Sequence, residues 1–187
     1  EMAKKYGVKL EVKSSFERVP GTVVKEEVDM EKMLVRGVAR DNDVARIAVV
    51  GLKDEPGTAF KIFSLLSKNK INVDIILQSI GRENTKDISF TVTEGNLEKA
   101  VEILEQNKDR IGYKEILSST DLSKVSIVGA GMVNNPGVAS TMFEALFEAS
   151  INIHMISTSE LKVPVLIDQA EAERAVRAIH DKFDFTK

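Results

Sequence analysis

Two stretches of this chain carry the same pattern. Pro56-Gly57 opens a run through Ala59, Phe63 and Leu66 to Ile71-Asn72 and Ser79. Pro136-Gly137 opens another, through Ala139, Phe143 and Leu146 to Ile151-Asn152 and Ser159, each residue 80 positions after its counterpart. Upstream, Val49-Val50-Gly51 answers Ile127-Val128-Gly129, and downstream Ala100-Val101 answers Ala175-Val176 across a shorter connection. An internal repeat fixes the architecture before any single residue is read. Each copy mixes strand-like and helix-like segments, so the expectation is an α+β chain built from two small modules.

Hydrophobic periodicity gives the elements. Arg46–Leu52 reads as a strand, and Thr58–Lys68 as an amphipathic helix presenting Ala59, Ile62, Phe63, Leu65 and Leu66. Asn72–Ile80 and Asp87–Thr93 read as strands around a charged loop, Arg82–Lys86, followed by a helix over Leu97–Gln106 and a strand over Tyr113–Ser118. That order is βαββαβ, the ferredoxin-like plan. The second copy offers strands at Lys124–Gly129, Ile151–Thr158 and Leu161–Ile167, with helices at Val138–Ala149 and Ala170–Phe183. Only Asp184–Lys187 then remain, too few for a sheet-spanning strand of about five residues. The unassigned run at residues 34–39, just ahead of the first copy, is therefore expected to cross over and complete the second sheet. The resulting organisation is a first module over 44–119 and a second over 123–187, with residues 25–33 as an acidic linker. Before the linker, Glu1–Tyr6 reads as a helix end stopped at Gly7, Val8–Ser14 as a strand and Pro20-Gly21 as a turn.

Composition narrows the function. A net charge of −3 gives no basic footprint for nucleic acid, and no apolar run nears the roughly 20 residues of a membrane span. The absence of cysteine rules out disulfides and thiolate chemistry and accords with a cytoplasmic protein; two histidines leave little for a zinc site. No Ser/His/Asp set, metal cluster or phosphate-cradling loop emerges, so neither catalytic residues nor a cofactor are expected. Gly129-Ala130-Gly131 fails as a dinucleotide fingerprint, because the third glycine position is Asn134 and no βαβ crossover follows. Phe143 and Phe147 are expected in the core, and Glu171/Arg174 and Glu173/Arg177 as solvated helix pairs.

The Pro-Gly turns are the chemically expressive feature. A strand-to-helix junction exposes backbone N–H groups at a helix N-terminus, where a carboxylate is favoured by unpaired donors and the helix dipole. Asp54 in the same loop can take an ammonium, and Gln78 offers an amide donor and a carbonyl acceptor. The ordinary alternative is that Asp54 and Pro56 cap and start the helix. His154 replaces Asp74 of the first copy and is either a ligand contact or a partly buried strand residue; His180 suits the end of a helix.

These blocks resemble a known family. Val49-Val50-Gly51-Leu52 and Asp54-Glu55-Pro56-Gly57-Thr58-Ala59, with Asn72-Val73-Asp74-Ile75 and Gln78, are similar to the first ACT domain of aspartate kinases. Val125–Met132, Pro136-Gly137-Val138, Ile156–Glu160 and His180–Phe183 resemble the second, and residues 1–24 the last helix and strand of that family's kinase domain. The resemblance covers essentially the whole chain. It implies the regulatory part of an enzyme that phosphorylates aspartate with ATP and is feedback-inhibited by lysine, threonine or both. The segments that bind ATP and aspartate have no counterpart here. A stand-alone amino-acid-binding module and a dimerisation module that binds nothing are the rivals.

The resemblance further implies a homodimer through side-by-side ACT pairing, with the catalytic domain or subunit of aspartate kinase as partner. Effector would lie between the first module of one chain and the second of the other. Asp54, Pro56, Gly57, Thr58, Ala59 and Gln78 would form one wall, closed by Asn152 and Ile153. By the symmetry of the repeat, a second pocket would join Met132, Asn135, Gly137, Val138, Ala139, Thr158 and Ser159 to Asn72, Val73 and Asp74. Threonine is expected in the first and lysine in the second, its ε-ammonium paired with Asp74. Pro164 departs from the family's usual serine, so that strand position is expected at an edge or without an inward hydrogen bond.

Overall fold

The computed structural model describes residues 3, 6, 8–16, 20–24, 35–80, 85–129 and 137–183. Most of the helix end expected over Glu1–Tyr6, the linker at 25–33, most of the Arg82–Lys86 loop, Pro136 and the candidate site residues Met132 and Asn135 lie outside the described residues. The chain divides into two compact units, 1–33 and 34–187. In the first, β1 (Leu10–Val12) and β2 (Thr22–Val24) form an antiparallel hairpin with Leu10 opposite Val24. The first strand is shorter than Val8–Ser14, and its partner was not anticipated.

The second unit holds both modules. β4 (Ala45–Lys53) puts Ala45, Ile47 and Val49 into one core, and α1 (Thr58–Lys68) covers them with Ile62 and Leu66. β5 (Ile76–Ile80), β6 (Thr85–Val92), α2 (Leu97–Gln106), a short α3 (Lys108–Ile111) and β7 (Glu115–Ser119) complete an antiparallel sheet ordered β5-β6-β4-β7. The second copy repeats this with β8 (Leu122–Gly129), α4 (Val138–Glu148), β9 (Met155–Ile156), β10 (Lys162–Asp168) and α5 (Ala172–Phe183). Its fourth strand is β3 (Val35–Asp41), which pairs with β8 through Val38↔Ile127 and Arg40↔Val125. The order β9-β10-β8-β3 thus reproduces the first sheet with a strand borrowed from ahead of it.

The repeat extends to backbone detail. Gly57 and Gly137 both precede their helices in the left-handed region, with φ of 93° and 102°. At the other end Lys70 (φ 60°) and Ser150 (φ 53°) take the same conformation. The amide of Ile71 then reaches back to Leu66 O at 3.0 Å and that of Ile151 to Leu146 O at 2.9 Å. This is the wrap that ends a helix with a left-handed residue, built here without glycine.

Two expectations need correction, and one of the two alternatives for Pro164 is met. The loops before β5 and β9 are not strand: Asp74 and Ile75 donate instead to the carbonyl and hydroxyl of Thr91. β9 spans only two residues where β5 spans five. Pro164 explains the difference, since its carbonyl accepts from Ser157 N–H at 3.0 Å and its ring nitrogen has no hydrogen to return. It sits in an inner strand, not at an edge, and the missing bond faces the truncated β9. Finally, Phe143 packs against the core but Phe147 is 82% exposed on the outer face of α4.

The modules are fused along a seam. Val44, Ile75, Leu122, Met155 and Leu166 form an apolar cluster separate from the two module cores. Val44 and Leu122 are equivalent positions of the two copies, as are Ile75 and Met155, and the counterpart of Leu166 is buried Thr91. The copies therefore pack through the same residues, as a twofold dimer would.

Candidate functional site

Asp54 does not cap α1. The N-cap is Gly57, which makes no side-chain cap bond, and Gly137 before α4 makes none either. The first intrahelical bond is donated by Lys61 to Gly57 O at 2.9 Å in one copy and by Thr141 to Gly137 O at 2.8 Å in the other. The amides ahead of these bonds have no intrahelical acceptor. Among the described residues a Cβ built on Gly57 or Gly137 would meet nothing within 4 Å, which leaves the turn at Gly57 open to an approaching group.

Around the first turn the side chains are already engaged. Asp54, 46% exposed, pairs with Lys86 of β6 at 2.6 Å. Thr58 is buried, and its hydroxyl donates to the carbonyls of Lys53 (3.1 Å) and Glu55 (3.0 Å), which sets the turn rather than facing solvent. Pro56 is exposed and Ala59 half-buried. Gln78 is exposed on the edge strand β5 opposite Ile88, two positions from the Ile80↔Lys86 pair that brings Asp54's partner alongside. Asp54, Gly57 and Gln78 thus share one end of the first module.

The second set is more dispersed. Gly137 is exposed, while Val138 and Ala139 pack against the core. Thr158 is exposed, and Ser159 is used in a turn, its hydroxyl donating to Lys162 O at 3.0 Å and accepting from Lys162 N–H at 3.1 Å. Asn72 and Val73 line a groove of about 280 Å³ with Phe63 and Ile76. Asn152 is exposed and Ile153 half-buried. Among the described residues, Ser159 lines a different depression, beside Val128 and Leu161.

Asp74 is not a free carboxylate. Its Oδ2 lies 2.6 Å from Lys124 Nζ, and Lys162 approaches its other oxygen at 3.7 Å. Lys124 also holds Asp41 at 3.0 Å. The hydrogen bond from Lys124 keeps the Asp74 carboxyl below the ordinary carboxylate pKa against the opposing push of burial. Burial pulls the Lys124 ammonium down, but its bonds to Asp74 and Asp41 outweigh this and leave it raised. His154, at the equivalent position, pairs through Nε2 with Asp168 at 2.7 Å. Sequence reasoning missed Lys86, Lys124 and Lys162. The signal available was the repeat itself, which sets Lys124 against Arg46 and so marks a basic position in both copies.

Residues 47–107 and 125–183 match the ACT domain family. A crystal structure titled as the regulatory subunit of aspartate kinase from Thermus thermophilus, in a ligand-free form, superimposes with a TM-score of 0.76 at 40% identity, covering 80% of this chain and 99% of that one. The chain belongs to the regulatory ACT regions of the aspartokinases. An aspartokinase of a Bacillus species (strain MGA3) is 45% identical over the whole of this chain, which spans 46% of that relative's length. Aspartate kinase from Synechocystis aligns over 99% of this chain and 34% of its own, at 35% identity and a TM-score of 0.80. The chain thus spans less than half the length of these aspartokinases. Among the described residues no group of three or more metal-ligating side chains occurs, and no helix is long and apolar enough to cross a membrane.

Proposed function

We propose that this regulatory region binds threonine, lysine or both as feedback effectors and passes their binding to an aspartokinase catalytic domain or subunit. The observation that carries the reading is the pair of helix N-termini at Gly57 and Gly137, which among the described residues have no side-chain cap and nothing above the glycine. An α-carboxylate satisfies the first-turn amides of such a helix, and Asp54 with Gln78 beside the first turn suits an ammonium. Asn72 and Val73 line one depression and Ser159 another, which supports a dimer that closes each pocket between the first module of one chain and the second of another. The fused seam supplies the transmission, since a ligand that prefers one arrangement of two locked modules shifts a population the catalytic part can read. In this reading residues 1–24 are the end of the kinase domain, and the whole acts in the cytoplasm.

Calorimetric titration of the chain with threonine and with lysine, coupled to sedimentation, tests the proposal. Saturable binding of at least one of them by a dimer supports it. Absence of binding by both leaves a dimerisation module, and binding of an unrelated amino acid alone leaves a stand-alone sensor.

A further inference from the structure

The seam between the modules has two polar corners that the repeat makes equivalent, and only one of them is filled. At the first corner Lys124 is clamped by Asp74 from the loop before β5 and by Asp41 from β3. The repeat sets Arg46 in the place of Lys124, Ser119 in that of Asp41, and His154 in that of Asp74. At the second corner, then, both acids are gone. Arg46 donates to Ser119 Oγ at 3.1 Å, and its Nε is buried with no hydrogen-bond partner. His154 is turned to Asp168. A cavity of about 320 Å³ opens there, lined by Arg46, Leu77, Ser79, Asp87, Ser89 and His154 among others. That volume falls at the lower end of the roughly 300–1,000 Å³ typical of small-ligand pockets.

We infer that this corner binds a small organic carboxylate, which takes the place on Arg46 that the Asp74 carboxylate takes on Lys124. A buried guanidinium N–H left unpaired is costly, and a carboxylate is the acceptor whose geometry fits a guanidinium fork. The hydroxyl of Ser89 can donate to its polar edge, and Leu77 can cover a short apolar tail. Asp87 also lines the cavity, its Oδ1 accepting from Gly51 N–H at 2.9 Å, so the ligand's carboxylate belongs on the Arg46 side of the cavity, away from that charge. The site is on the sheet face turned away from α1, apart from the Pro-Gly turn; it shares Gln78 with the proposed effector wall but does not rest on the effector reading.

The test follows the side-chain Nε–H resonance of Arg46 in the ¹⁵N-labelled chain during titration with sodium propionate, against sodium chloride at equal ionic strength. A saturable shift with propionate and none with chloride is expected. With variant affinities read from the backbone amide resonances of Ser89 and Ser119, Arg46→Lys, which keeps the charge but not the fork, should bind more weakly than the parent, and Arg46→Gln at least about ten-fold more weakly. His154→Asp supplies the missing carboxylate from within the chain and should abolish propionate binding with the fold intact, which keeps the test open if Arg46→Gln does not fold. A response reproduced by chloride, unchanged affinity in Arg46→Gln, or full binding by His154→Asp would overturn the inference. So would a shift of the same resonance on dilution without propionate, which would assign the corner to a side chain of a second copy.

Discussion

The Asp74 carboxylate lies 2.6 Å from the Lys124 ammonium, tying the loop before β5 of the first module to the inner strand β8 of the second. The lysine is only 16% exposed and the aspartate 45%, so the pair is partly screened and its contribution modest. Asp74→Asn keeps the shape and is expected to cost about 1 kcal/mol of stability at neutral pH, near the upper end for such pairs. The folded-state pKa of Asp74 is lowered, so the unfolded chain binds more protons between the two pKa values. The contribution is full above the ordinary carboxylate pKa and is lost as pH falls through the folded value. Urea titrations of both proteins should show a constant gap at neutral pH that closes in acid. A gap that widens in acid would contradict the assignment.

The same geometry changes what Asp74 can do for lysine. An incoming ε-ammonium meets a carboxylate already shared by Lys124 and Lys162, so lysine must displace Lys162 or join the cluster as a third cation. If lysine is held here, Asp74→Asn weakens it and spares threonine. Equal affinities of parent and mutant for lysine, measured calorimetrically, would move lysine to other groups.

Asp54 offers the parallel test for threonine. Its carboxylate is half exposed and shared with Lys86, so the expected loss for Asp54→Ala is about 2 kcal/mol, the low end for an interfacial charge pair. That corresponds to roughly thirty-fold in affinity. Full threonine binding by the mutant would remove Asp54 from the site.

The repeat made the fold legible. One offset placed both helices, both open turns and the shortfall of the second copy, from which the crossover of β3 followed. Contacts between the copies were less legible, because Asp74 and Lys124 are 50 residues apart and belong to different modules. Nothing local in Asn72-Val73-Asp74 announces that its acid is spoken for. Phe147 misled for a related reason: it continues the apolar spacing of Phe143, yet its counterpart in the first copy is polar Ser67, which marks a solvent-facing position. The brevity of β9 was readable in part, since Pro164 stands where the first copy has Ser89, but only the pairing shows which neighbour loses its bond.

Gly57 and Gly137 are left-handed, and among the described residues nothing lies within 4 Å of an added Cβ, so a methyl group there costs conformational strain. Gly57→Ala and Gly137→Ala should each lower stability by about 1–2 kcal/mol, the ordinary penalty for a left-handed non-glycine residue. Denaturation midpoints in urea measure this, and similar losses at both sites are expected because the turns are equivalent. A neutral effect at either would mean that the turn relaxes to another conformation.

The borrowed strand and the apolar seam make one further demand, that the two modules unfold together. β3 precedes the first module in sequence yet completes the sheet of the second, so neither module can be peeled away without stretching the other's connection. Ile75 is buried in the seam with Met155 and Leu166, outside both module cores. Ile75→Ala should cost about 2–4 kcal/mol, as large-to-small changes at buried sites do. If the modules are one cooperative unit, that loss must appear equally in the hydrogen-exchange protection of β6 in the first module and of β10 in the second. Protection lost from the first module alone, or two separated transitions for residues 34–187 in calorimetry, would show that the seam is a contact between independently stable domains.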